Sequence, residues 1–120
     1  MRIKNENLTL SSTDMSSSLT SNPIWLGHIA NFAIQLVFTG TPNGTLKLQC
    51  SNDEGAKTND ISNVSITNWT DIDGSDQAIV ASGDHVWNVQ NCGYRWVRVV
   101  YTASSGSGTL TSARMNVKGV

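Results

Sequence analysis

The clearest pattern in the chain is an alternation of apolar and polar side chains, which is typical of half-buried strands. Apolar positions fall on one face in residues 32–39, and the alternation resumes in residues 45–51. Between them, residues 40–44 read Gly-Thr-Pro-Asn-Gly and end in Asn-Gly, a strong turn signal. We therefore predict a β-hairpin, with these side chains on its inner face: Phe32, Ile34, Leu36, Phe38, Leu46, Leu48 and Cys50.

Residues 94–102 form the strongest predicted strand, with large side chains on both faces. One face is made by Val97, Val99 and Tyr101 and the other by Trp96, Arg98 and Val100, and the pattern leaves open which is buried. Shorter strands are predicted at 69–72, 77–81, 85–89 and 108–117, the last with Met115 and Val117 in the core and preceded by a Gly/Ser-rich loop at 104–107. The whole pattern predicts an all-β fold, an antiparallel β-sandwich or jelly roll of seven to nine strands.

The domain organisation follows from length and from the weaker pattern at the start of the chain. A chain of 120 residues accommodates one domain. Residues 1–22 are polar with weak alternation, so we expect either an N-terminal arm or an edge strand. Residues 23–120 are assigned to the β-sandwich domain, with a long polar loop at 52–66.

Composition narrows the class of protein. Charged residues make up 14% of the chain and the net charge is −1, so a nucleic-acid-binding patch is not expected. No apolar run suits a signal peptide or a transmembrane helix, and we expect no membrane association. The sequence contains 15 Ser, 12 Thr and 12 Asn, which favours strands and turns over helices.

The chemistry-bearing residues do not form a catalytic pattern. His28 and His85 are far apart in sequence, no nucleophile–base arrangement stands out, and we expect a protein that is not an enzyme. The acidic segment with Asp71, Asp73 and Asp76 is interpreted as a turn, with a calcium site as the minor alternative and no other cofactor expected. The cysteines, Cys50 and Cys92, are either unpaired or joined in a disulfide if their strands face each other.

Four tryptophans supply the candidate contact residues. We expect Trp69 and Trp87 in the core. Trp25 and Trp96 are better suited to a contact surface, because their neighbours are polar or lie toward a chain terminus. Arg95 and Arg98 beside Trp96 give the mixture of arginine and aromatic side chains that is enriched at protein interfaces.

Three segments carry a resemblance to known families. GTLKLQCSNDEG (44–55) followed by NWTDIDGS (68–75) resembles galactose-binding-like sandwich domains. Together with GYRWVRVVYTASSGSGTLTSARMNVKG (93–119), the chain resembles short β-sandwich virion proteins of tailed bacteriophages.

This resemblance implies a structural protein on the capsid surface, made in the host cytoplasm. Its most direct form is a capsid decoration (cement) protein that binds the major capsid protein or other virion proteins, stabilises the head and is commonly a homotrimer. The alternative is a tail, fibre or baseplate module that binds carbohydrate on the host surface.

Overall fold

The computed structural model describes residues 3–26, 29–53 and 66–119, and all regular elements in these ranges are strands. The eight strands are β1 (Ile3–Asn7), β2 (Leu19–Thr20), β3 (Ile24–Trp25), β4 (Ile29–Ser51), β5 (Thr70–Asp71), β6 (Gln77–Ile79), β7 (Gly83–Val89) and β8 (Trp96–Gly119). This number agrees with the seven to nine strands predicted. No helix of the described ranges could cross a membrane.

Two long strands form the framework of the sheet. β4 has 23 residues and β8 has 24, and they pair antiparallel from Ile29 opposite Gly119 to Ser51 opposite Trp96. The short strands flank this ribbon: β1, β2 and β3 pair with β8, whereas β5, β6 and β7 pair with β4. All of these pairings are antiparallel.

The ribbon folds over on itself to make the two layers of a sandwich. A straight strand of 23 residues would be roughly 75 Å long at about 3.3 Å per residue. The longest dimension of the molecule is only 39 Å. Apolar side chains from both ends of β4, such as Phe32 and Leu48, belong to one buried cluster. The two halves of one sheet therefore face each other across a shared core, which confirms the predicted antiparallel β-sandwich.

The bend lies where a hairpin turn was predicted. Residues 40–44 continue β4 and pair with 103–108 of β8, so the predicted hairpin and the predicted 104–107 loop are both wrong. Gly40 and Gly106 have φ of 89° and 80°, which favours glycine. A Cβ at Gly108 would lie 2.5 Å from the carbonyl oxygen of Thr39. These glycines let the two paired strands lie close together and bend without reversing the chain.

The core contains the inner faces that the alternation predicted. Val97, Val99 and Tyr101 are fully buried within it, which settles the orientation of the strongest strand. Cys50 is the exception among the predicted inner positions, because it is only partly buried near the end of β4. The other buried members of the core include Phe32, Ile34, Leu36, Phe38, Leu46, Leu48, Met115 and Val117.

Residues 3–22 belong to the sandwich. β1 pairs with residues 114–118 of β8. Met15 and Leu19 are 1% and 2% exposed, so the segment after β1 also contributes to the core.

Candidate contact face

The outer surface of one half of the sandwich carries an ordered set of polar and aromatic side chains. It consists of Lys47, Gln49, Trp69, Asp71 and Arg98, and we call it the Arg98 face. Leu46 and Leu48 are buried, so the alternation turns Lys47 and Gln49 outward. The strand register then places Arg98 on one side of Gln49 and Asp71 on the other. Three neighbouring strands thus bring charges and amides into one row.

These side chains form a continuous network. The guanidinium carbon of Arg98 lies 4.2 Å from the centroid of a Trp69 ring, a cation–π distance. Arg98 Nε donates to Gln49 Oε1 at 2.8 Å, and Gln49 Nε2 donates to Asp71 Oδ1 at 2.9 Å. Lys47 Nζ donates to Asp71 Oδ2 at 3.2 Å. Each group is held by its neighbour, so the face is preorganised.

The charges on this face are unequally compensated. Hydrogen bonds from Gln49 and then from Lys47 lower the pKa of the Asp71 carboxyl below its ordinary value. Partial burial lowers the pKa of Arg98. Within the described ranges no carboxylate forms an ion pair with Arg98, because Asp71 is engaged by Lys47 and Gln49. A partly desolvated guanidinium that lacks an ionic partner is well suited to bind an acidic group.

The four predicted contact residues differ in their burial and in their position on the sheet. Trp25 is half-buried and lies directly opposite Trp96 across β3 and β8, on the same sheet face as Arg98. Arg95 is exposed just before β8. Trp96 is fully buried, so its predicted exposure is wrong. Its indole Nε1 donates to the carbonyl oxygen of Asp53 at 3.1 Å.

Asp53 joins two parts of the chain that are distant in sequence. Its carboxylate accepts hydrogen bonds from the backbone N–H groups of Thr67 and Asn68, each at 3.0 Å, and from the Asn68 amide. The backbone N–H of Asn68 is the largest cause that lowers the Asp53 pKa. These bonds fix the chain immediately before Trp69. Most of the predicted 52–66 loop lies outside the described residues.

Sequence reasoning missed most of the Arg98 face. It assigned Trp69 to the core, whereas the ring is half-exposed under Arg98; Trp87, by contrast, is buried in the core as predicted. The outward alternation of Lys47 and Gln49 was a usable signal. Their proximity to Asp71 could not be read from that signal, because it depends on the pairing of β4 with β5.

The residues considered for metal binding or redox chemistry are spread apart. Asp73 and Asp76 are exposed around a turn at Gly74, and Asp71 faces Lys47. In the described part of the chain no three His, Cys, Asp or Glu side chains come together in a metal-binding group. No disulfide joins Cys50 to Cys92, and burial raises the pKa of both thiols. His85 lies in β7, and His28 lies outside the described residues.

The other half of the sandwich carries a groove on its outer surface. Its volume is about 590 Å³. Ala33 lies in register with Asn88 of β7 on one side and Asn116 of β8 on the other, so a small side chain separates two amides. We call this feature the amide groove, and its lining includes Asn31, Ala33, Val86, Asn88, Gln90 and Asn116.

Comparison with known proteins defines the class of fold. No protein-family profile matches the sequence, and no curated protein matches it either. The crystal structure of YomS, a protein derived from the SPBc2 prophage, has a TM-score of 0.55 at 13% identity, over 98% of this chain and 95% of that one.

Two further solved structures were found by the same comparison. The CBM22-1-GH10 modules of Clostridium thermocellum xylanase 10B, solved with xylohexaose, have a TM-score of 0.50 at 11% identity, over 98% of this chain and 26% of that one. The coat protein of Tobacco streak virus has a TM-score of 0.48 at 8% identity, over 99% of this chain and 87% of that one. The likeness to YomS and to the xylanase modules shows a shared β-sandwich fold.

Proposed function

We propose that this chain is a non-enzymatic virion structural protein, and specifically a capsid decoration protein that docks on the major capsid protein through its Arg98 face. The observation that carries the proposal is the stack of Arg98 on Trp69, with its guanidinium partly buried and without a carboxylate partner among the described residues. Arginine and tryptophan in this arrangement are typical of the energetically important centre of a protein interface.

Two further features support this proposal. The fold matches a prophage-derived protein over nearly the whole length of both chains. The Arg98 face is also held in place by internal hydrogen bonds, so binding would cost little side-chain ordering. Arg98 has no carboxylate partner among the described residues, so it could donate hydrogen bonds to an acidic side chain of the capsid protein.

Co-sedimentation with capsids tests this proposal. The purified chain is mixed with phage heads that lack it, and the fraction that pellets is measured across a concentration series. We expect the wild-type chain to bind saturably. Arg98→Glu should weaken binding by about tenfold or more, because it places a negative charge where the partner's acidic group would lie.

Arg114→Glu is the matched control. Arg114 is also an arginine of β8, but it is exposed on the other half of the sandwich. Its substitution changes the net charge by the same amount and should leave binding within about twofold of wild type. Equal losses for the two variants would show a general charge effect and contradict docking through the Arg98 face. Absence of wild-type binding to any head preparation would contradict the decoration function itself.

The amide groove favours a second candidate function, a tail, fibre or baseplate module that binds neutral carbohydrate. Asn88, Gln90 and Asn116 make no side-chain hydrogen bonds to the described residues, so their donors and acceptors are available for hydroxyl groups. The fold similarity to modules solved with xylohexaose also supports this candidate.

A glycan array followed by calorimetry tests this second function. Asn88→Ala and Asn116→Ala should each reduce the affinity of any oligosaccharide that binds, whereas Asn43→Ala, at the exposed bend, should not. Binding that is insensitive to both groove variants would exclude the amide groove as the site.

A further inference from the structure

The edge strand β7 has one backbone edge that is not paired with any described strand. It pairs with β4 along residues 83–89, and no described residue pairs with its other side. Natural edge strands usually carry lysine, proline or a bulge that prevents pairing with another chain. β7 has none of these over its seven residues, whose sequence is GDHVWNV, and Asp84 is its one acidic side chain.

The centre of this edge is apolar and exposed. Val86 is 51% exposed, and among the described residues only Val80 is a more exposed large apolar side chain. Val86 lies on the outer surface, because His85 and Trp87 on either side of it turn inward. An exposed valine in the middle of an unpaired strand is suited to bind another strand.

We infer that β7 pairs antiparallel with β7 of a second copy of this chain, about a twofold axis at Val86, and so joins the two sheets into one. A twofold antiparallel register opposes residues whose numbers are equally distant from 86 on either side. Val86 then faces Val86, an apolar pair at the centre of the contact.

The flanking residues favour a second copy over an unrelated strand. Asp84 faces Asn88 of the other copy on the outer surface, so an amide can donate to each carboxylate. His85 faces Trp87 on the inner surface, the same two residue types that already make an edge-to-face contact within one chain, with centroids 4.7 Å apart. No like charges oppose each other, and the short sequence around Val86 is therefore complementary to itself.

This inference goes beyond the proposed function and does not depend on it. The edge of β7 lies on the half of the sandwich that does not carry the Arg98 face, so a pair of chains would keep both Arg98 faces available. A twofold pair also differs from the trimer that the family resemblance implies.

Sedimentation equilibrium of the full chain tests the inference. We expect a species of twice the 12.9 kDa chain mass, in a concentration-dependent equilibrium with the monomer. Val86→Lys and Val86→Glu should each weaken this dimer by roughly tenfold or more, because like charges then face each other across the axis. Val80→Lys, which adds the same charge outside β7, should leave it unchanged.

Mixing the two charge variants provides the decisive measurement. An equimolar mixture of Val86→Lys and Val86→Glu should recover a dimer, because only this register places residue 86 of one copy against residue 86 of the other. Folding of each variant is checked by its thermal unfolding curve. A wild-type chain that stays monomeric at all concentrations, or a mixture that fails to recover the dimer, would overturn the inference.

Discussion

Gly44 lies at the bend of the two paired long strands, where β8 backbone and a buried aromatic ring leave little space for a side chain. A Cβ on Gly44 would be 2.3 Å from the carbonyl oxygen of Thr102 and 2.8 Å from Cε1 of Tyr101, a side chain with no exposed surface. Gly44→Ala should therefore destabilise the fold by about 3 kcal/mol, as overpacked core substitutions do. Urea unfolding monitored by tryptophan fluorescence measures this change.

Gly93→Ala is the control for that measurement. Nothing lies within 4 Å of a Cβ at Gly93, and its φ is not in the positive region. The substitution should change stability by less than about 1 kcal/mol. Similar losses of unfolding free energy at both glycines would show that the close approach of β8 does not exclude a side chain at residue 44.

The Asp53 carboxylate gives a second prediction at the residue scale. Hydrogen bonds from Asn68 and Thr67 lower its pKa from the model-peptide value of 3.8. A depressed folded-state pKa contributes stability above the unfolded pKa, and the contribution is lost as pH falls through the folded pKa. NMR titration should find the Asp53 pKa below 3.8 and find it raised by Asn68→Ala.

Asn88→Ala, on the opposite half of the sandwich, is the control for the titration. It should leave the Asp53 pKa unchanged. An Asp53 pKa at or above 3.8 in the wild-type chain would mean that the hydrogen bonds at the base of this loop do not persist in solution.

At the scale of elements, periodicity predicted the strands well and their connection poorly. The inner faces at Phe32–Phe38 and Val97–Tyr101 follow directly from alternation, because burial imposes a period of two on a strand. The hairpin prediction was wrong because Gly40–Gly44 has the composition of a turn, although the chain stays extended there. The feature that keeps this segment extended is β8, about sixty residues away in sequence.

The candidate site, like the fold, was predicted only in part from the sequence. Arg98 was selected as a contact candidate from its local setting, and the structure places it in a hydrogen-bonded network with Gln49 and Asp71. Trp96 is buried and Trp69 is half-exposed, the reverse of what was expected. Asp53 joins the two regions, because its carbonyl accepts from the Trp96 indole and its carboxylate accepts from Thr67 and Asn68. Non-local contacts of this kind leave no local pattern in the sequence.

A disulfide between the two long strands tests the continuous ribbon against the hairpin. Thr45 lies opposite Thr102 in the register, and neither side chain belongs to the core. With Cys50 and Cys92 replaced by serine, Thr45→Cys combined with Thr102→Cys should form a disulfide on mild oxidation, detected by mass spectrometry. The pair at 45 and 109 is out of register and should stay reduced. In a hairpin, residue 45 would instead lie near residues 38–39, so a disulfide between cysteines placed at Thr39 and Thr45 would contradict the continuous ribbon.

At the scale of the whole molecule, the sandwich depends on the segment that the sequence left undecided between arm and edge strand. Deleting residues 1–22 would remove β1, β2 and three core side chains together (Leu8, Met15 and Leu19), so it would destabilise the fold in addition to removing any contact with a partner. Loss of capsid binding by such a deletion would therefore not identify a docking arm. Point substitutions on the Arg98 face avoid this ambiguity.

Met15 provides a direct measure of how far the N-terminal segment stabilises the sandwich. Its side chain is 1% exposed and lies in the core, and its backbone N–H donates to the carbonyl oxygen of Gly108 near the bend of the long strands. Met15→Ala should cost about 2–5 kcal/mol, as expected for a buried methionine, whereas the exposed Ser17→Ala should cost less than about 0.5 kcal/mol. Urea unfolding with both fluorescence and circular dichroism would show one transition shifted for Met15→Ala. If the N-terminal segment were instead a detachable arm, both substitutions would leave that transition unchanged, and the sandwich would unfold as if residues 3–22 were absent.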